Sequence, residues 1–347
     1  MNTIKTQKAE LIQVLLWYDK PEVLLLKSGV AEYILAIRSG DPDSNNRTYI
    51  GGSMTYRRLR DYFDGKCDLR FAISHANMRK FWKFEFGTDT RIVDVNHIKR
   101  SDHELLMSLP DSGLFSRDHD PIGIFQNYVP NTKEQFLIDG SWDLGEFSQF
   151  YGQVEDIYYI VSDIERFDDP SINAKEKSII TDAFDRSWDG GGSYVAFYRK
   201  VANDNDYHSP LRVSGIKYNS PGYVEIHANK EPFDGVMVLL KHYSVNENAA
   251  RKAYNAIGTF MSANKLKKQT RSSVITDKTI SALEDYAEKL QIHMPGVSFQ
   301  ALKAMTGSNS IVAAKVMLSV FRRVERLYRF FDQGRVIHDR IDVDNSE

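Results

Sequence analysis

Very little in this chain can cross-link, anchor or steer it. Cys67 is the only cysteine among 347 residues, which excludes an intrachain disulfide and fits a reducing compartment. It has no local signature of a reactive thiol, so it is expected to be a packing residue. No stretch approaches the roughly 20 consecutive apolar residues of a membrane span. The apolar run Leu11–Trp17 is short and stops at Tyr18-Asp19-Lys20-Pro21 with no small-residue cleavage site after it. A soluble, cytoplasmic protein with no membrane partner is the expectation. Charge of one sign is also missing. Lys and Arg number 45 against 47 Asp and Glu, a net −2, so the whole molecule has no pull toward nucleic acid or acidic lipid. No internal repeat or low-complexity tract occurs.

What is present is ordinary globular material. Hydrophobic residues make up 42% and charged residues 27%, enough for a real core and against global disorder. The first third reads as strands. Leu11–Tyr18, Glu22–Lys27 and Ala31–Arg38 are short apolar runs separated by turn chemistry, the pattern of an antiparallel meander. Short helices are predicted over Tyr56–Phe63 and from Leu69 to His75, with Ser53 or Thr55 and then Asp68 as caps. Phe81–Phe86 alternates as a strand. Residues 108–131, rich in Pro, Gly and Asp, read as a linker or long surface loop, and Gln135–Ile138 as one more strand.

Helical spacing dominates the second part. Phe147, Phe150, Tyr151, Val154, Ile157, Tyr158 and Val161 recur at steps of three and four within Leu144–Arg166. Further helices are predicted over Ala174–Phe184, Ser193–Ala202, Phe233–Tyr243, Glu247–Leu266, Thr279–His293 and Ser310–Gln333. A hairpin, residues 211–228, interrupts them. The expected fold class is α+β. An antiparallel domain, residues 1–107, precedes a larger, mainly helical domain, residues 132–338, with that hairpin embedded. Residues 339–347 are expected to fray. The last helix carries so many apolar residues that its own domain must wrap it, or a second copy must share it.

Two turns are the strongest site candidates. Trp188-Asp189-Gly190-Gly191-Gly192-Ser193 leads into a helix, and glycines before a helix N-terminus can let an anion approach. The Walker pattern is absent, since Tyr194 follows Ser193, and the contiguous glycines do not fit the dinucleotide pattern. A glycine-rich turn with Ser193 as N-cap is the plainer reading. Ser220-Pro221-Gly222 fits a type II turn, with Pro second and Gly third. If the two turns face each other they shape a groove. Glu225 and His227 alternate on one strand face and could act as an acid–base pair beside it. Asp118-His119-Asp120 lacks companions at ligand spacing, so no metal and no cofactor is expected.

Basic residues cluster in three places: Lys265, Lys267, Lys268 and Arg271 after one helix; Arg322, Arg323, Arg326 and Arg329 on the last; and Arg57, Arg58 and Arg60 near the front. Converging, they would track phosphates. Apart, they are solvated helix faces.

Two sets of segments resemble known sequences. Ser187–Tyr198 and Lys217–Glu225 resemble the W-x-G-G-x-S and Y-x-S-P-G-x-I/V-E segments of uncharacterised bacterial proteins. Tyr18-Asp19-Lys20-Pro21 together with Arg58–Arg70 resembles the small bacterial "YDGP" domain of unknown function, with Lys20 where that pattern has Gly. The resemblance implies a bacterial-type protein associated with defence or mobile elements, and no defined activity. Three functions stay open: a non-enzymatic interaction or regulatory protein working through a protein partner or self-association; a nucleic-acid binder using the basic helical residues; and an enzyme acting on a phosphorylated ligand at Gly190–Ser193 with Glu225 or His227 as base.

Overall fold

The computed structural model describes residues 6–17, 20–28, 32–39, 47–76, 81–87, 91–98, 109–116, 132–184, 193–204, 211–269 and 275–341. The chain divides into two compact units, Met1–Asn127 and Tyr128–Glu347.

The meander closes on itself. Strands β1 (Thr6–Trp17), β2 (Pro21–Lys27), β3 (Glu32–Arg38), β4 (Thr48–Thr55), β5 (Phe81–Glu85) and β6 (Ile92–Ile98) form a barrel in chain order. The closing pairs run from Thr6 opposite Asn96 to Glu10 opposite Ile92. Closure removes both sheet edges. It also explains why Val23–Leu26 is buried without a break. Leu24 and Leu26 share a cluster with Ala36, Trp82, Phe84 and Val95, which come from strands around the whole ring and so fill its interior. Val23 and Leu25 instead meet Leu59, Tyr62, Leu69 and Ile73 on helices α1 (Tyr56–Phe63) and α2 (Leu69–Ser74). The Asp68 carboxylate caps α2 at the Phe71 N–H, 2.7 Å. Cys67 packs beside this second cluster, where burial, then Asp61 and Asp68, push its thiol up.

The expected linker is in part a packed piece of the first unit. Gly113 N–H donates to Asp68 at 2.8 Å, and Leu69 N–H donates to the Leu114 carbonyl at 2.8 Å. Residues 117–131 lie outside the described residues.

In the second unit a four-stranded sheet has the order β10-β7-β9-β8, from β7 (Thr132–Ile138), β8 (Arg212–Lys217), β9 (Gly222–Ala228) and β10 (Val336–Ile341). The expected hairpin is thus the outer half of a larger sheet. The frayed tail needs correction, because Asp339–Ile341 pair with Gln135–Lys133. A side-chain contact holds this strand: fully buried Glu134 has its Oε2 2.7 Å from His338 Nε2. Residues 342–347 lie outside the described residues.

Helices α3 (Leu144–Asp168), α4 (Ala174–Phe184), α5 (Ser193–Asp204), α6 (Lys230–Ala263), α7 (Asp277–Gln291), α8 (Phe299–Met305) and α9 (Ser310–Asp332) complete the unit. A full capping box at Asp143 and Glu146 starts α3. The two helices expected around residues 233–266 form one run broken at Asn246, whose φ of −117° and ψ of 17° leave the helical region. On α9 every residue from Ser310 to Phe321 is buried. The helix is wrapped by its own unit, which accounts for its apolar content without a second copy. The sheet's inner face meets the helices through Phe136, whose ring lies 5.2 Å from Phe150 and 5.9 Å from Phe233. No helix among the described residues is long and apolar enough to cross a membrane.

Candidate functional site

Residues 188–192, the glycine-rich half of the expected groove, lie outside the described residues, as does Arg271. Ser193 is the first residue of α5. The other half is well defined. The Ser220–Pro221 peptide is cis, which a type II turn does not contain. Gly222 has no room for a side chain. A β-carbon there would overlap the Lys217 carbonyl and come within 2.7 Å of the Asn219 carbonyl oxygen.

This turn is tied down locally. The Ser220 hydroxyl donates to Asp139. The Tyr218 hydroxyl accepts from Trp142 N–H at 3.1 Å and donates to the Trp142 carbonyl at 3.2 Å. Trp142 stacks on Phe330, centroids 5.2 Å apart, and the Arg335 guanidinium lies over the Trp142 ring, 4.2 Å from its centroid. Arg335 grips Glu146 through two bonds of 2.8 and 2.9 Å. The Ser220 bond, then the Gly140 N–H, hold Asp139 below the usual carboxylate range, and Arg335 does the same for Glu146. The turn is an anchored corner.

Glu225 and His227 do share the outer face of β9, alternating with buried Val224, Ile226 and Ala228. Glu225 is fully engaged. Lys133 Nζ sits 2.8 Å from Oε2, and Ser214 donates to Oε1 at 2.5 Å. Lys133 first, then Ser214, hold its carboxyl below the usual range. A carboxylate stabilised in this way is a weak base at neutral pH.

Among the described residues of the second unit, the basic side chains are only partly exposed. Arg323 lies over the Tyr198 ring, 3.3 Å from its centroid, with its Nε 2.5 Å from Asp156. Arg322 reaches Tyr254. Only Arg326 and Arg329 of the four are exposed. Lys265, Lys267 and Lys268 are exposed around a 3₁₀ turn, Leu266–Lys268. That segment meets α9 at Lys315, which donates to the Gln269 carbonyl at 2.6 Å. Arg326 lies roughly 16 Å further along the helix.

Two clefts were not legible beforehand. In the first unit a cleft of about 470 Å³ is lined by Leu16, Val23, Ile37, Leu69 and Leu114, with the paired Glu22 and Arg38 in its wall. Arg38 Nε lies 3.0 Å from both Glu22 oxygens. In the second unit a cleft of about 500 Å³ lies between the end of α3 (Ile164, Glu165, Asp168) and the α7–α8 turn (Met294, Pro295, Val297). Burial, then Glu231, push the Glu165 carboxyl up. A carboxyl raised in the folded state binds its proton more tightly there than in the unfolded chain. Stability is therefore lost as pH rises through the folded value. Glu165→Gln is expected to match the parent near pH 4 and exceed it above about pH 7 in urea unfolding. A difference that stays flat with pH would refute burial as the cause.

The most distinctive surface is β8. It pairs with β9 alone among the described residues, so it is a sheet edge. Val213 and Ile216 lie opposite Ile226 and Val224, and so share the core-side face. Their partners are fully buried, yet Val213 is 41% and Ile216 54% exposed. Tyr218, next along, is 58% exposed. A scan against protein-family models, a search of curated proteins and a search of solved structures each found no match.

Proposed function

We propose that this chain is a non-enzymatic interaction protein that docks an extended segment of another protein along β8. The overhang of Val213 and Ile216 carries the reading. They are apolar, they face the core side of the sheet, and they are exposed. An added strand would bury them while its backbone bonds to the open edge.

The charges on the strand select its partner. In a centred antiparallel pairing of two copies, Arg212 of one strand faces Lys217 of the other at both ends, which opposes self-pairing. The bulge between Val213 and Gly215 twists the edge and restricts it further. A heterologous strand with apolar residues inside and acidic residues at its ends fits instead.

The test uses two synthetic peptides of alternating valine and threonine, one ended by glutamates and one by lysines. Fluorescence anisotropy should show submillimolar binding of the acidic peptide only, weakened by salt and lost in Ile216→Lys. Size exclusion with light scattering, with absorbance at 260 and 280 nm, should give a clean monomer. A monomer carrying salt-releasable nucleic acid would overturn the proposal and favour Lys265, Lys267, Lys268, Arg326 and Arg329 as the binding residues.

A further inference from the structure

The cleft of the first unit straddles the rim of the barrel. Leu16, Val23 and Ile37 are opposed in register across β1, β2 and β3, so they form one apolar row. Glu22 and Arg38 stand one step along from Val23 and Ile37, and all four line the cleft. Three bonds set the other wall. Leu69 N–H donates to the Leu114 carbonyl and Gly113 N–H to Asp68, each at 2.8 Å, and Arg70 Nη1 donates to the Pro110 carbonyl at 3.0 Å. A cleft of about 470 Å³, held open by its own backbone and lined by apolar side chains with few polar groups, has the size and lining of a small-molecule site.

The polar groups decide what it takes. The Arg38 side chain is nearly enclosed, 7% exposed, against 22% for Glu22. Arg38 Nε lies 3.0 Å from both Glu22 oxygens, while Nη2 adds a 2.8 Å contact to Oε1 alone. Each carboxylate oxygen can accept two bonds, so Oε2 keeps an acceptor position among the described residues. The more exposed member of the pair is thus the carboxylate. Asp111, exposed on the same lining, adds a second negative charge. We propose that this cleft binds a small organic ammonium ion. Its aliphatic or aromatic body rests on Leu16, Val23, Ile37, Leu69 and Leu114, and its charged head donates to Glu22 Oε2 in a charge-assisted bond. An organic carboxylate of the same shape meets Glu22 and Asp111 and is repelled.

The experiment titrates the full chain with three probes of one shape, 2-phenylethylammonium, 2-phenylethanol and phenylacetate. Calorimetry gives the affinity, and amide shifts in nuclear magnetic resonance spectra give the place. The ammonium should bind with a Kd of about 1 mM or tighter, the alcohol roughly tenfold more weakly, and phenylacetate not at all. The shifted amides should be those around Leu16, Val23, Leu69 and Leu114. Glu22→Gln should bring the ammonium down to the affinity of the alcohol, whose own binding is unchanged and shows that the cleft persists. If that variant folds poorly, Ser112→Trp, at the exposed edge of the lining, should fill the cleft and abolish binding of both probes. No binding of the ammonium, equal affinity for the three probes, preference for phenylacetate, shifts confined to other parts of the chain, or full binding in Ser112→Trp would each overturn the proposal.

Discussion

Replacing His338 by alanine is expected to destabilise the second unit by about 1–3 kcal/mol, the usual cost of taking a hydrogen-bond partner away from a buried polar group. Glu134 is fully buried. Its Oε1 accepts from Thr132 at 2.7 Å, and its Oε2 meets His338 at 2.7 Å. The His338 ring also lies 5.5 Å from both Phe136 and Phe233, so its removal costs packing as well. The two contributions can be separated. In Glu134→Gln/His338→Ala no carboxylate is left behind, and the double variant should be more stable than His338→Ala alone, with coupling well beyond additivity. Urea unfolding of the four members of the cycle measures this. Simple additivity would mean that the pair is incidental and that His338 serves as a packing ring.

Gly222→Ala is expected to cost ~3 kcal/mol, the upper range for forcing a group into filled space. The obstacles are backbone atoms of Lys217 and Asn219, which cannot rotate away as a side chain can. Relief requires moving β8 relative to β9, so hydrogen exchange should quicken at Val213–Lys217 and Tyr223–Ala228 while the barrel amides are unchanged. Ser220→Ala removes only the bond to Asp139 and should leave that exchange pattern alone. If Gly222→Ala were neutral, the close approach of the chain at this corner would be disproved.

The limits of the sequence follow from which forces are local. Helix α1 over Tyr56–Phe63 and helix α4 over Ala174–Phe184 were readable in full, because period, caps and breakers lie within a few residues. The meander was readable for the same reason. Its closure was not, since Thr6 and Asn96 are opposed by register alone. Strand β6 alternates, with Val93 and Val95 buried between exposed Asp94 and Asn96, but two valines among polar residues are too weak a pattern to mark a strand. The seven residues of α8 gave too short a pattern to register. The tail was misread because Asp339 and Arg340 look solvated, whereas their strand is held by Val336 and the buried Glu134–His338 contact. At the candidate site, Glu225 and His227 were placed correctly on one face. That Lys133 neutralises Glu225 depended on a strand almost a hundred positions away. The edge position of β8 likewise exists only in the assembled sheet.

Helix α9 imposes an order on synthesis. The buried run Ser310–Phe321 is the hub on which α3, α6, α7 and α8 close, and it is translated after all four. At about 5–20 residues per second, α3 waits on the order of ten to forty seconds for the surface it covers. The barrel has no such dependence, since its strands complete one another in chain order. A nascent chain therefore carries one finished unit and a set of helices with unsatisfied apolar faces, and it is during that interval that a chaperone would find something to hold.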